Sequence, residues 1–150
     1  MKRKVLAGLL TVVMAAGFVA VPGMQTEVKA DDKKLVGVAM PTKDLQRWNQ
    51  DGENMKKSLE DAGYEVDLQY ASNEVATQVS QVENMISNGC DILVIASIDG
   101  SSLGEPLSQA KEAGIPVIAY DRLLMESDAV SYYATFDNYM VGQKQGEYIE

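Results

Sequence analysis

Three polar pairs and one isolated cation have the types that could do chemistry: Arg47-Trp48, Asp121-Arg122, Asp137-Asn138, and Lys43. Carboxylates accept hydrogen bonds, a guanidinium donates in a planar fork, and an amide does both. That mixture suits a neutral polyhydroxylated ligand, because each hydroxyl is donor and acceptor at once. An Asp-Arg pair can grip two neighbouring hydroxyls, and an indole offers a flat apolar face to the C–H side of a ring. Other chemistries lack their parts. The 150 residues include no His, which removes imidazole acid-base catalysis, Ser-His-Asp and Cys-His arrangements, and most zinc sites. Cys90 is the single Cys, so the chain has no internal disulfide and no CxxC motif. The net charge of −9 and pI near 4.5 argue against a general nucleic-acid binder, which would show a basic face.

These residues need elements to place them, and the elements follow from hydrophobic periodicity. Leu35 to Met40 is a short apolar run closed by Pro41 and reads as a buried strand. From Trp48, apolar or small residues recur at Gly52, Met55, Leu59 and Ala62, one face of a helix, and Gly63 stands where a helix terminus wants positive φ. Glu65 to Tyr70 alternates as an edge strand does. Val75, Val79, Val82 and Ile86 mark a second helix ended by Gly89; Asp91 to Ala96 is a third strand, apolar after its first residue. Leu103, Leu107 and Ala110 mark a third helix ended by Gly114, with Ser101-Ser102 as its expected cap. Ile115 to Tyr120 is a fourth strand, Tyr132 to Phe136 a fifth, and a last helix begins at Val141.

Strands alternating with helices imply an α/β fold with a doubly wound parallel sheet. In such sheets ligands bind outside the carboxyl ends of the strands. Lys43 to Trp48 follow the first strand, Asp121-Arg122 the fourth and Asp137-Asn138 the fifth, so the polar residues collect at one edge. Each has a structural alternative. Asp121-Arg122 could be a salt bridge at a strand end, Asp137-Asn138 a cap for the last helix, and Trp48 plain core. Cys90 reads as an inert small residue.

Residues 1–30 differ from the rest. Lys2, Arg3 and Lys4 precede an apolar stretch from Val5 to Val21, and Val28-Lys29-Ala30 ends in a small-x-small site. This reads as a signal peptide cleaved after Ala30; a membrane anchor is the alternative. Its four basic residues against Glu27 give +3, which leaves −12 for residues 31–150, given −9 for the chain. The last helical pattern is still running at Glu150, so the reading frame looks truncated; residues 31–150 are expected either to fold alone as an α/β unit or to be the first lobe of a larger protein.

The chain resembles periplasmic sugar-binding proteins of ABC importers, nearest the xylose-binding and multiple-monosaccharide-binding members. The likeness rests on Val36 to Met40 with Arg47-Trp48, Gln81 to Ile86, Leu93 to Ser97, Ala119 to Arg122 and Phe136 to Asn138, in the family's order across residues 35–150. It implies the N-terminal lobe of a two-lobed, type I periplasmic binding protein. Such a protein closes on a monosaccharide by hinge motion and delivers it to the membrane subunits of an ABC permease. By the same resemblance Arg47, Asp121 and Arg122 match sugar contacts, with Trp48 beside them and Lys43, Asp137 and Asn138 as weaker matches. It also implies an exported monomer without cofactor or metal, with a chemoreceptor as a further candidate partner. A flavodoxin- or receiver-like signalling domain fits the size, but the third strand ends at Ala96-Ser97 where a receiver needs a phosphoacceptor Asp. A Rossmann-type enzyme would need GxGxxG or GxxxxGK[ST], and neither follows the first strand. A sugar-responsive regulator would need a helix-turn-helix where the leader stands.

Overall fold

A computed structural model describes residues 33–149; the signal peptide expected at residues 1–30 and its cleavage site lie outside them. The element order is β1 (Leu35–Met40), α1 (Gln46–Asp61), β2 (Glu65–Tyr70), α2 (Val75–Ser87), β3 (Ile92–Ile95), α3 (Gly104–Glu112), β4 (Val117–Tyr120), β5 (Val130–Ala134) and α4 (Asn138–Ile149). The five strands form one sheet in the order β2-β1-β3-β4-β5, and every pairing is parallel. The chain leaves β1 toward β2 and then crosses back to β3, so the winding direction reverses between β1 and β3. That reversal is where a doubly wound sheet opens a crevice for ligands.

Alternation along the strands splits the core in two. Val36, Val38 and Met40 of β1, Val94 and Ala96 at β3, and Trp48 of α1 form one buried cluster, with Met55 and Leu59 against it. Ala39, Leu93, Ile95, Val117 and Ala119 face the other way, onto Val82 and Met85 of α2 and Leu103, Leu107 and Ala110 of α3. Helices thus cover both faces, as a parallel sheet requires. Cys90 belongs to the second cluster, and burial pushes its thiol up to about 11. No helix among the described residues is long and apolar enough to cross a membrane.

The three glycines expected to end helices all take positive φ: Gly63 at 95°, Gly89 at 81° and Gly114 at 71°. Other expectations need correction. The fifth strand is Val130–Ala134, two residues earlier than Tyr132 to Phe136. Its ladder ends where β4 ends, at the pair Tyr120–Ala134, so Thr135 and Phe136 have no strand beside them. The register steps from Val117–Val130 to Ile118–Tyr132, leaving Ser131 as a bulge. The last helix starts at Asn138 rather than Val141, because Oδ1 of Asp137 accepts from the Met140 backbone N–H at 3.0 Å. Ser101 and Ser102 do not cap α3. Its N-cap is Leu103 with no side-chain bond, and Ser102 Oγ donates instead to the Asp99 carbonyl.

One contact sets how deeply α1 sits on the sheet. Gly52 is buried in α1, and a Cβ there would lie 2.3 Å from the Tyr70 hydroxyl and 3.0 Å from its ring carbon. Gly52→Ala is expected to destabilise the fold by about 1–3 kcal/mol through overpacking. In a Tyr70→Phe background, which removes the nearer atom, the same change should cost less than half as much in denaturant titrations. An equal cost in both backgrounds would contradict this contact.

Candidate ligand-binding site

The first turn of α1 delivers Arg47 to the carboxyl edge of the sheet, and the end of β4 delivers Asp121. Nη2 of Arg47 donates to Oδ1 of Asp121, 74 residues away in the chain. Nε of the same guanidinium lies 3.6 Å from Oδ2 of Asp51, one helical turn further along α1. The bond to Asp121 raises the Arg47 pKa further above its already high value, against the opposing effect of partial burial.

Asp121 occupies an unusual backbone position. Its φ is 62°, in the left-handed region, which costs a residue other than Gly on the order of 1 kcal/mol or more. The Arg122 N–H donates to the Tyr120 carbonyl at 2.6 Å, closing a three-residue turn centred on Asp121. Neighbouring bonds hold the turn. The Asp121 N–H donates to Ala134 O at 2.8 Å, and its carbonyl accepts from Thr135 Oγ1 at 3.1 Å and Tyr133 Oη at 3.2 Å. The turn sends the side chains of Asp121 and Arg122 to different partners. Nη1 of Arg122 donates to the carbonyls of Ser97 at 2.9 Å and Ile98 at 3.5 Å, just beyond β3. The Asp121-Arg122 salt bridge weighed as an alternative does not form: the carboxylate pairs with Arg47, and the guanidinium pairs with backbone.

Trp48 lies beneath both guanidinium groups. The Arg47 Cζ is 4.6 Å from its ring and the Arg122 Cζ 5.1 Å, within cation–π range. Only 3% of Trp48 is exposed, so the face of its indole expected for a sugar ring is buried here. Its neighbours Met40 and Val38 show why: Trp48 lies on the buried face of α1. Phe136, 60% exposed and 5.5 Å from the Arg47 Cζ, presents the open ring instead. It lines a hollow of about 190 Å³ with Tyr120, Asp121, Ala134 and Thr135.

Arg47, Trp48, Asp121 and Arg122 are therefore one group. Asp137 and Asn138 lie one and two residues past Phe136, with Asp137 engaged as the α4 cap. Lys43 stands apart. Its ammonium sits 4.8 Å from the Tyr70 ring, in a separate polar hollow of about 390 Å³ shared with Thr42, Gln69, Ser72 and Gln81. Among the described residues no group of three or more His, Cys, Asp or Glu side chains could hold a metal. Sequence reasoning missed Asp51 and Phe136 as parts of the rim. The spacing of four residues from Arg47 to Asp51 was a usable signal for the first.

The left-handed turn makes a backbone prediction. Without ligand, Asp121→Gly should be more stable than Asp121→Ala by about 1 kcal/mol, because both lose the carboxylate and only Gly is free of the φ penalty. Equal stabilities in thermal melts would show that the turn is not strained.

Comparison with known proteins places this geometry. Residues 36–150 match the family model described as a periplasmic binding protein domain. The chain is 50% identical over 135 residues to the multiple sugar-binding periplasmic receptor ChvE of Rhizobium radiobacter, covering 90% of this chain and 38% of that protein. It is 48% identical over 136 residues to the multiple sugar-binding periplasmic protein SbpA of Azospirillum brasilense, covering 91% of this chain and again 38% of the relative. An ABC transporter solute-binding protein from Clostridium phytofermentans, solved with bound β-D-glucose, superposes with a TM-score of 0.76 at 83% identity, over 77% of this chain and 36% of the other. The chain thus spans less than two fifths of the length of these relatives. With the family match running through every strand and the whole polar rim, the chain belongs to the periplasmic binding protein family.

Proposed function

We propose that this chain is the N-terminal lobe of an extracytoplasmic protein that captures a monosaccharide and delivers it, unaltered, to the membrane subunits of an ABC permease. The observation that carries the reading is the Arg47–Asp121–Arg122 group at the carboxyl edge, beside the β1/β3 reversal. Asp121 has acceptor capacity left after its bond to Arg47, and Arg122 has donors left after its two carbonyls. Together they meet the two needs of adjacent sugar hydroxyls. Glucose bound to the relative of 83% identity and the sugar-binding names of two others support the same ligand class. Pentoses and hexoses are both candidates.

In this reading Trp48 is a support under the two cations, and Phe136 is the ring available for stacking. Lys43, Asp137 and Asn138 remain weaker matches to ligand positions, by resemblance alone. A second lobe would supply the opposite wall, and hinge closure would remove water from the charged groups and strengthen them. Residues 1–30 are assigned as the export signal, which puts the mature protein in the periplasm or at the cell exterior.

The test is calorimetric titration of D-glucose and D-xylose in the full-length protein, with thermal melts of the sugar-free variants. Asp121→Asn and Arg122→Ala should each weaken binding by roughly ten- to a hundredfold, since bonds to charged groups contribute about 1.5–3 kcal/mol and 1.4 kcal/mol is tenfold. The sugar-free melting point of Asp121→Asn should move little, because the Arg47–Asp121 pair is partly exposed and such pairs contribute about 0.2–1 kcal/mol. Arg122→Ala, which also gives up its bonds to the Ser97 and Ile98 carbonyls, should lower it more, so Asp121→Asn is the variant that separates binding from structure. Affinity within twofold of wild type with a sharply lower melting point would make these residues structural and sink the assignment.

A further inference from the structure

Asp51 has no part in the sugar contacts assigned above, yet it lies where the rim is organised. Its side chain is only 26% exposed, and its Oδ2 faces Nε of Arg47 at 3.6 Å. The next residue, Gly52, is packed under Tyr70 and fixes the depth of α1 at this point. Asp51 also faces β4. The Tyr120 hydroxyl is held above its ordinary range, by burial first and then by the Asp51 carboxylate beside it. Tyr120 is the residue immediately before the strained turn at Asp121. One carboxylate on α1 therefore borders both the helix cation and the end of the strand that carries the acceptor.

A guanidinium is planar, with five N–H groups in a fixed fork. Asp121 takes one from Nη2, and the Trp48 and Phe136 rings border the guanidinium. The Asp51 carboxylate, 3.6 Å from Nε, restricts rotation of the group about the Asp121 bond. We propose that Asp51 is a positioning residue for ligand binding, holding the Nε edge of Arg47 so that Nη2 stays on Asp121 and the remaining N–H groups are left for ligand hydroxyls. The inference rests on the monosaccharide reading and adds a residue to it. Asp51 touches no sugar and acts through Arg47. Without it, the Arg47 side chain must be ordered at the moment of binding, and the entropy of that ordering is subtracted from affinity.

The alternative is an ordinary helix-surface pair at i,i+4, which adds little to stability and nothing to binding. Titration of D-glucose and D-xylose in the full-length protein separates the two. Asp51→Ala and the isosteric Asp51→Asn should weaken binding by about three- to tenfold. In an Arg47→Lys background, where the cation remains but Nε is gone, the same changes should cost less than twofold, because the group Asp51 acts on is absent. Affinity within twofold of wild type for both single variants would overturn the proposal. So would a loss of equal size in the Arg47→Lys background, which would mean that Asp51 acts on the fold and not on Arg47. If Asp51→Ala does not fold, Asp51→Asn decides. A wild-type protein that binds neither sugar would overturn the monosaccharide reading itself, and this inference with it.

Discussion

Arg47 reaches from the first turn of α1 to the carboxylate of Asp121 at the end of β4, and the rim is arranged around that bond. It constrains both ends. The helix must sit close to the sheet, which requires a residue without a side chain at Gly52. The strand must stop at Tyr120 and turn sharply, which puts Asp121 at positive φ. Trp48 fills the space under the bond and lies close to both cations. The same turn points Arg122 toward the Ser97 and Ile98 carbonyls just beyond β3, so three strand-end segments are tied together by two guanidinium groups.

On the monosaccharide reading proposed above, this arrangement would let a charged rim serve a neutral ligand. Unpaired ions in a closing cleft would carry a large desolvation cost. Here the Asp121 charge is met by Arg47, and Arg47 is also met by Asp51. Arg122 is satisfied by carbonyl dipoles. Each group enters the cleft already partnered, with spare donors or acceptors left over. Neutral hydroxyls can use the spare capacity without adding charge. A free ion would need the same rim to rearrange.

Most of the fold was legible in the sequence because it rests on local patterns. Apolar runs gave β1, β3 and β4, helical spacing gave the faces of α1 to α3, and glycines marked the helix ends. β5 was misplaced because its limits are not local: they are set by where β4 stops and by the bulge at Ser131. The site was legible as a set of residues at strand ends but not as a set of partners. Arg47 finds Asp121 across 74 positions, and Arg122 finds backbone carbonyls that no side-chain pattern marks. Trp48 could be read as core or as platform, since one helical face served both; its burial against Val38 and Met40 settles which.

The most direct measurement is a crystal structure of the full-length protein with D-glucose or D-xylose bound. The account predicts the sugar at the carboxyl edge of this sheet, with ring hydroxyls about 2.6–3.2 Å from the Asp121 carboxylate and the Arg122 guanidinium. Arg47 should remain on Asp121. A sugar bound elsewhere, or one at this edge that leaves Asp121 and Arg122 without a ligand hydroxyl, would contradict it.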